Sequence, residues 1–297
     1  MRARYWALVL GCVVLFIAQP KAEQAGRPSE KQSAKAPYTQ PRTPDGQPDL
    51  RGWWHIVPFG TISIEASTNP VAGATNTFGD PFQSQAAAAT SIVENPSISR
   101  IVDPPDGKIP YQPWAAAKAN DIHDHYNDPK PHQLDPQSRC YLQGIPRAMY
   151  QSASVIIQTA GEIVILHDFA HSYRVIPLDN RPRLPESMKL FMGDARGRWD
   201  GNTLVIETTN LNDIPWFAVS GSFHSDALRV TERLTRIDND TIEYLALIDD
   251  HKMYTRPWTM RFAMKRNTDP KAEQWEEACY EGNHSVEFQL GHPDKQD

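Results

Sequence analysis

The sequence predicts a mainly β protein, an antiparallel meander forming a barrel or a sandwich, with a helical and irregular insertion ahead of the main strand block. Three observations predict it. Between Gly193 and Lys265 the apolar residues recur with period two, the signature of strands with one buried face. Turn clusters punctuate these runs: Asp200-Gly201-Asn202 and Asp238-Asn239-Asp240 tolerate the left-handed backbone that tight hairpins need. Roughly nine or ten strand-like runs follow one another with no helical crossovers between them, which disfavours a parallel sheet.

Taken in order, residues 1–22 read as a secretory signal. Arg2 and Arg4 precede the apolar run YWALVLGCVVLFIA, and small or polar residues follow as far as Ala22. The run is too short for a stable membrane span, so the mature chain is expected to be periplasmic or secreted. Residues 23–48 carry few large apolar side chains and read as a disordered linker. A single β-rich domain is expected over 49–285, with residues 286–297 as a tail. Its first strand is expected over Asp49–Val57 (DLRGWWHIV), where Trp53, His55 and Val57 alternate with Trp54 and Ile56. The insertion spans about 58–135 and ends in a helix that starts at Pro113, WAAAKANDIHDHY. His123, His125 and His132 lie at and beyond its end; as a metal set they would need extended backbone, because residues two apart diverge on a helix.

Strands are expected next over Met149–Ala160 (MYQSASVIIQTA) and on both sides of Asp168-Phe169-Ala170. Ile163, Ile165 and His167 share one face; His171, Tyr173 and Val175 share another, with Arg174 opposite Tyr173. In the main block Leu228, Val230, Glu232 and Leu234 lie together, and so do Trp258, Met260, Phe262 and Met264, whereas TIEYLALI is apolar on both faces. Such faces suit a barrel of the lipocalin-like kind, closed around an apolar interior. Glu232 is the anomaly. A buried carboxylate is either paired or perturbed, so it either meets an inward Arg or exchanges protons.

Composition narrows the function. A formal net charge of −6 without runs of Lys or Arg argues against a nucleic-acid partner. No phosphate-cradling Gly loop, HExxH, GxSxG or CxxC is present, so no cofactor and no metal is implied. Export removes Cys12 and leaves Cys140 and Cys279, an even pair read as a disulfide in an oxidising compartment. Neither has a His or Cys at the spacing of a zinc ligand.

Collinear motifs carry a resemblance. They are Cys140, Gly144, Pro146 and Arg147; Gly197 to Val205 (GRWDGNTLV); His224-Ser225; Glu232-Arg233; Asp249 with Pro257-Trp258; and Cys279 with Glu281. With TPDGQPDLRGW at Thr43 to Trp53, they resemble a family of secreted bacterial proteins over about residues 43–285. The resemblance implies export and fold rather than an activity. The chain departs from the pattern at Asn180, where Gly is usual, and at Asp250-His251, where a Pro is usual.

Two functions fit these residues. The first is a cofactor-free acid–base enzyme (lyase, isomerase or hydrolase) on a small organic substrate, with Glu232 and His224 as catalytic acid and base. In it Arg147, His167, His171, Tyr173, Arg174, Trp199, His251, Tyr254 and Trp258 would line the substrate site. The second is a non-catalytic barrel that binds a small apolar or aromatic ligand.

Overall fold

The computed structural model describes residues 38–56, 63–65, 99–151, 153–274 and 277–291. The expected signal, most of the linker, Val57 and the bulk of the insertion lie outside the described residues. The wall of the domain is a nearly closed antiparallel barrel of nine strands. In chain order the strands and helices are β1 (Gly52–Ile56), β2 (Ile101–Asp103), α1 (Pro113–Asp124), α2 (Ala148–Gln151), β3 (Ser154–Gln158), β4 (Glu162–His167), β5 (Tyr173–Pro177), β6 (Asp194–Asp200) and β7 (Thr203–Thr209). The ribbon β8 (Trp216–Ala218) and β9 (Ser222–Phe223), the strands β10 (Arg229–Asp238), β11 (Thr241–Asp249) and β12 (Trp258–Arg266), and α3 (Ser285–Leu290) complete it.

The order around the wall is β5-β4-β3-β1-β12-β11-β10-β7-β6, with β2 added beside β12. It departs from a pure meander in one place. The first strand fills the gap between β3 and β12, pairing Trp54 with both Ser154 and Arg266. Both hairpins read from turn chemistry form: Asp200 pairs with Thr203 and Asp238 with Thr241.

The alternation expected of β10 to β12 is observed. Val230, Glu232, Leu234, Ile242, Tyr244, Ala246, Ile248, Trp258, Met260 and Met264 are buried, and Leu245 and Leu247 of β11 face outward. Trp54 and Ile56 of β1, Ile156 of β3, Ile163 and Ile165 of β4, Ile176 of β5 and Leu204 and Ile206 of β7 join them in one core.

The barrel closes between β5 and β6 without a backbone ladder. Gly197 makes that approach feasible: a Cβ there would lie 2.8 Å from Ile176 Cγ2 and 2.8 Å from Leu178 Cδ2. Arg196 reaches across instead, donating from Nη2 to the Pro182 carbonyl at 2.6 Å. A satellite cluster, in which α1 contributes Ala115 and Ile122, packs with Trp216 and Phe223 of the β8–β9 ribbon.

Two expected boundaries move. Residues 38–48 are ordered rather than linker: Arg42 bridges to Pro48, Thr43 is buried, and Arg42 Nη2 donates to Asn202 Oδ1 at 3.0 Å. The expected tail begins as the helix α3, whose Gln289 Nε2 donates to Ser138 Oγ at 2.9 Å. Nearby, Cys140 and Cys279 are bonded, with their Cα atoms 5.6 Å apart. Among the described residues, no helix is long and apolar enough to cross a membrane.

Candidate functional site

The interior wall carries one polar belt, centred on Glu232. This carboxylate is fully buried, as the alternation of β10 dictates. Its partner arrives from the far side of the seam. Between β4 and β5 the chain reverses through Ala170 and His171, both left-handed (φ 52 and 51), and Ser172 N donates to the Phe169 carbonyl at 3.1 Å. That turn sets the parity of β5, so His167 and Arg174 face inward together.

Arg174 donates from Nη1 to Glu232 Oε1 at 2.9 Å and from Nη2 to Oε2 at 2.6 Å. Tyr244 of β11 donates its hydroxyl to Oε1 at 2.9 Å, and Thr208 of β7 stands 3.2 Å from Arg174 Nη2. This forked geometry is the strong form of an ion pair. Burial opposes the Arg174 charge, but the Glu232 carboxylate more than offsets it and holds the guanidinium above its ordinary value. Burial, then the charge of Glu232, keep the Tyr244 hydroxyl protonated well above the usual phenol range.

Beyond Arg174 the belt continues to His167, whose Nδ1 lies 2.9 Å from Ser154 Oγ on β3. Burial first, then the charge of Arg174, push the imidazole down to about 3, opposed by the Ala148 carbonyl. His167 is therefore neutral at physiological pH. Among the described residues, two buried atoms of this belt have no hydrogen-bond partner, Arg174 Nε and His167 Nε2. The indole Nε1 atoms of Trp199 and Trp258, on the same interior wall, are likewise buried and unpartnered. Stranded polar atoms of this kind cost free energy, and in native proteins they call for a water or a ligand.

The structure separates the expected catalytic pair. No hydrogen bond joins His224 to Glu232 among the described residues. His224 is buried against Phe217, ring centroids 5.0 Å apart, with its Nδ1 3.0 Å from the Ser225 carbonyl. Burial lowers its pKa, while the Ser225 carbonyl and the Asp250 and Asp213 charges pull the other way. Asp250 explains this placement: it accepts from Ser225 N at 2.7 Å and Ser225 Oγ at 2.9 Å, and so folds the chain before β10 away from the belt.

The residues expected to line the substrate site fall in different places. Arg147 is occupied by the scaffold: Nη1 and Nη2 clasp Asp135 at 2.9 and 2.5 Å, Nη1 also meets the Trp216 carbonyl at 3.2 Å, and Nε meets Gln151. Tyr173 is 61 % exposed on the outer wall, and His171 and His251 are exposed in turns. Tyr254 is buried, with its hydroxyl donated to the Phe223 carbonyl at 3.0 Å. Trp258 packs edge-on against Tyr254 and Phe217 in the core, and Trp199 is half-buried against the same core. Only His167 and Arg174 of that set belong to the belt.

Ser154, Thr208 and Tyr244 were not singled out from the sequence. Tyr244 carried a readable signal, since it shares the inner face of β11. Asp168 was also missed. Burial, then the charge of Glu277, raise its carboxyl to about 7, opposed by a hydrogen bond that the carboxylate accepts from the Ala153 backbone. Among the described residues its buried Oδ1 has no hydrogen-bond partner, and Phe169 next to it bridges to Glu277. His123, His125 and His132 are exposed, and among the described residues no three His, Cys, Asp or Glu side chains stand close enough to hold a metal ion.

No family model and no curated protein matches the chain. Among solved structures, the wild-type fluorescent protein UnaG is 9 % identical, with a TM-score of 0.25, over 50 % of this chain and 89 % of that one. A mutant of UnaG is 11 % identical, with a TM-score of 0.24, over 39 % of this chain and 72 % of that one. These likenesses are too slight to bear on function.

Proposed function

We propose that the chain is an exported, non-catalytic barrel that binds a small organic molecule bearing a hydrogen-bond acceptor. One observation carries this reading: Arg174 Nε and His167 Nε2 are both buried and, among the described residues, without hydrogen-bond partners, while the Glu232 carboxylate is saturated. A carboxylate clasped by a guanidinium and a tyrosine hydroxyl is a poor proton shuttle, because each proton exchange would break a buried ion pair. The same clasp leaves Arg174 Nε pointing its proton at an acceptor that the protein does not supply. Apolar walls with a few convergent polar groups are what small-molecule sites present.

The motifs that resemble those of secreted bacterial proteins fit the same reading, since several of them serve the scaffold. Arg147 is locked to Asp135, Gly197 sits at the seam, and Cys140 is bonded to Cys279. The test is a fluorescence titration of the mature protein with prodan, an uncharged naphthyl ketone. Saturable binding that weakens about tenfold in His167→Phe, the loss of roughly one hydrogen bond, supports the proposal. Absence of saturable binding, or equal binding by the variant, overturns it.

Acid–base catalysis is the second reading, and the observation that favours it is Asp168 rather than Glu232. A carboxyl raised to about 7 is matched to proton transfer at neutral pH. Turnover of any small substrate that disappears in Asp168→Asn and persists in Glu232→Gln would establish it.

A further inference from the structure

Along the chain the arginines look dispersed, yet two Arg-x-Arg pairs meet in space. Arg181 and Arg183 lie in the loop after β5, and Arg196 and Arg198 lie on β6. Spacing of two in extended backbone turns each pair to one side. Because Ala195 and Gly197 are buried, Arg196 and Arg198 face outward. Closure of the seam then brings the pairs together around a depression of roughly 290 Å³ on the outside of the wall, whose charged lining also holds Asp179 and Glu207. Four guanidiniums face two carboxylates there, on a protein whose formal charge is −6.

The four arginines divide by what they hold. Arg196 is committed to the scaffold through Asp194 Oδ1 at 2.5 Å and the Ala195 and Pro182 carbonyls at 2.7 and 2.6 Å. Arg183 ties the loop to the Asp194 and Glu207 carbonyls at 3.0 and 3.3 Å. Both therefore fix the rim. Arg181 uses Nε and Nη2 on Asp179 and Glu162, and among the described residues no hydrogen bond engages Nη1. Arg198, 59 % exposed, has among the described residues only a 3.8 Å contact with Glu207. Asn180 lines the depression beside them. Guanidiniums held close together repel one another, and a fork of N–H donors matches the oxygens of a carboxylate, sulfate or phosphate.

We propose that this depression binds the oxyanion head group of a small molecule, with Arg181 and Arg198 as its ligating cations and Arg183 and Arg196 as the residues that hold the loop in place. The site lies outside the barrel wall and uses none of the groups of the interior belt, so it stands or falls separately from the ligand-binding reading.

Titrations with inorganic phosphate, sulfate and succinate, each at constant ionic strength, would be followed by the ¹⁵Nε resonances of the arginine side chains in the mature protein. Saturable shifts are expected, with affinity reduced about tenfold in R181Q/R198Q, the scale of one charge-assisted bond lost. R198Q alone removes only the 3.8 Å contact and keeps the test valid if the double variant folds poorly. R51Q, which removes an exposed arginine paired with Asp49, controls for general charge. Stronger binding of the tetrahedral anions assigns a phosphoryl or sulfuryl head group, and stronger binding of succinate a carboxylate. No saturable shift in the wild type, unchanged affinity in R198Q and the double variant, or an equal loss in R51Q overturns the proposal.

Discussion

Replacing Glu232 by Leu is expected to be among the most damaging single changes in the chain, although Leu suits the apolar face of β10. The reason is Arg174. Its side chain is 1 % exposed, and without the carboxylate it would keep only Thr208 as a partner, at 3.2 Å. Breaking one side of a buried ion pair costs about 3–5 kcal/mol, and the stranded Tyr244 hydroxyl adds about 1–3 kcal/mol. Against a typical domain stability of roughly 5–15 kcal/mol, that brings the variant near unfolding at room temperature. The compensated double variant Glu232→Leu/Arg174→Met removes both charges. It should recover all but the roughly 1–3 kcal/mol of the still-stranded Tyr244 hydroxyl, since apolar replacement of a whole buried pair is often neutral or stabilising. Urea denaturation at pH 7 with the disulfide intact gives the four corners of the cycle. A Glu232→Leu variant within about 1 kcal/mol of wild type would refute the reasoning, and so would a double variant whose loss equals the sum of the singles.

Acid–base linkage supplies a second test. The Asp168 carboxyl is raised from 3.8 to about 7 in the folded protein, so its contribution is full below the unfolded value and is lost as pH rises from about 4 to 7. The His167 imidazole is lowered from 6.5 to about 3, so its contribution is lost in the opposite sense, as pH falls from about 6.5 to 3. The two oppose each other between about pH 4 and 6.5. Asp168→Asn should therefore gain stability above pH 7 and show a steeper acid loss, and a urea-midpoint profile parallel to wild type would count against it. Cys140→Ser/Cys279→Ser opens a loop spanning 139 residues and should cost about 4–5 kcal/mol by the chain-entropy model; an unchanged thermal midpoint on reduction contradicts the bond. Gly197→Ala puts a methyl 2.8 Å from Ile176 and Leu178 and should cost about 1–3 kcal/mol, read as faster amide exchange in β5 and β6; exchange at the wild-type rate would show that the seam gives way freely.

The inner faces of β10, β11 and β12 were legible in the sequence because side-chain alternation is a local property of extended backbone. The Asp200 and Asp238 hairpins were legible for the same reason: turn chemistry acts over a few residues. Glu232 was legible as an anomaly, and an inward Arg stood among its readable partners. What the sequence did not disclose was assembly. Arg174 reaches Glu232 across 58 residues and across a seam that has no ladder, and its inward parity depends on a turn with two left-handed non-glycine residues. His224 stands eight positions from Glu232 in sequence, yet Asp250 holds the intervening chain so that the imidazole packs on Phe217 instead. The slot taken by β1 between β3 and β12, and the meeting of the two Arg-x-Arg pairs, likewise follow from barrel closure. Alternation and turns are written residue by residue; which strand completes a wall, and which charge meets which, is decided only when distant segments compete for the same buried space.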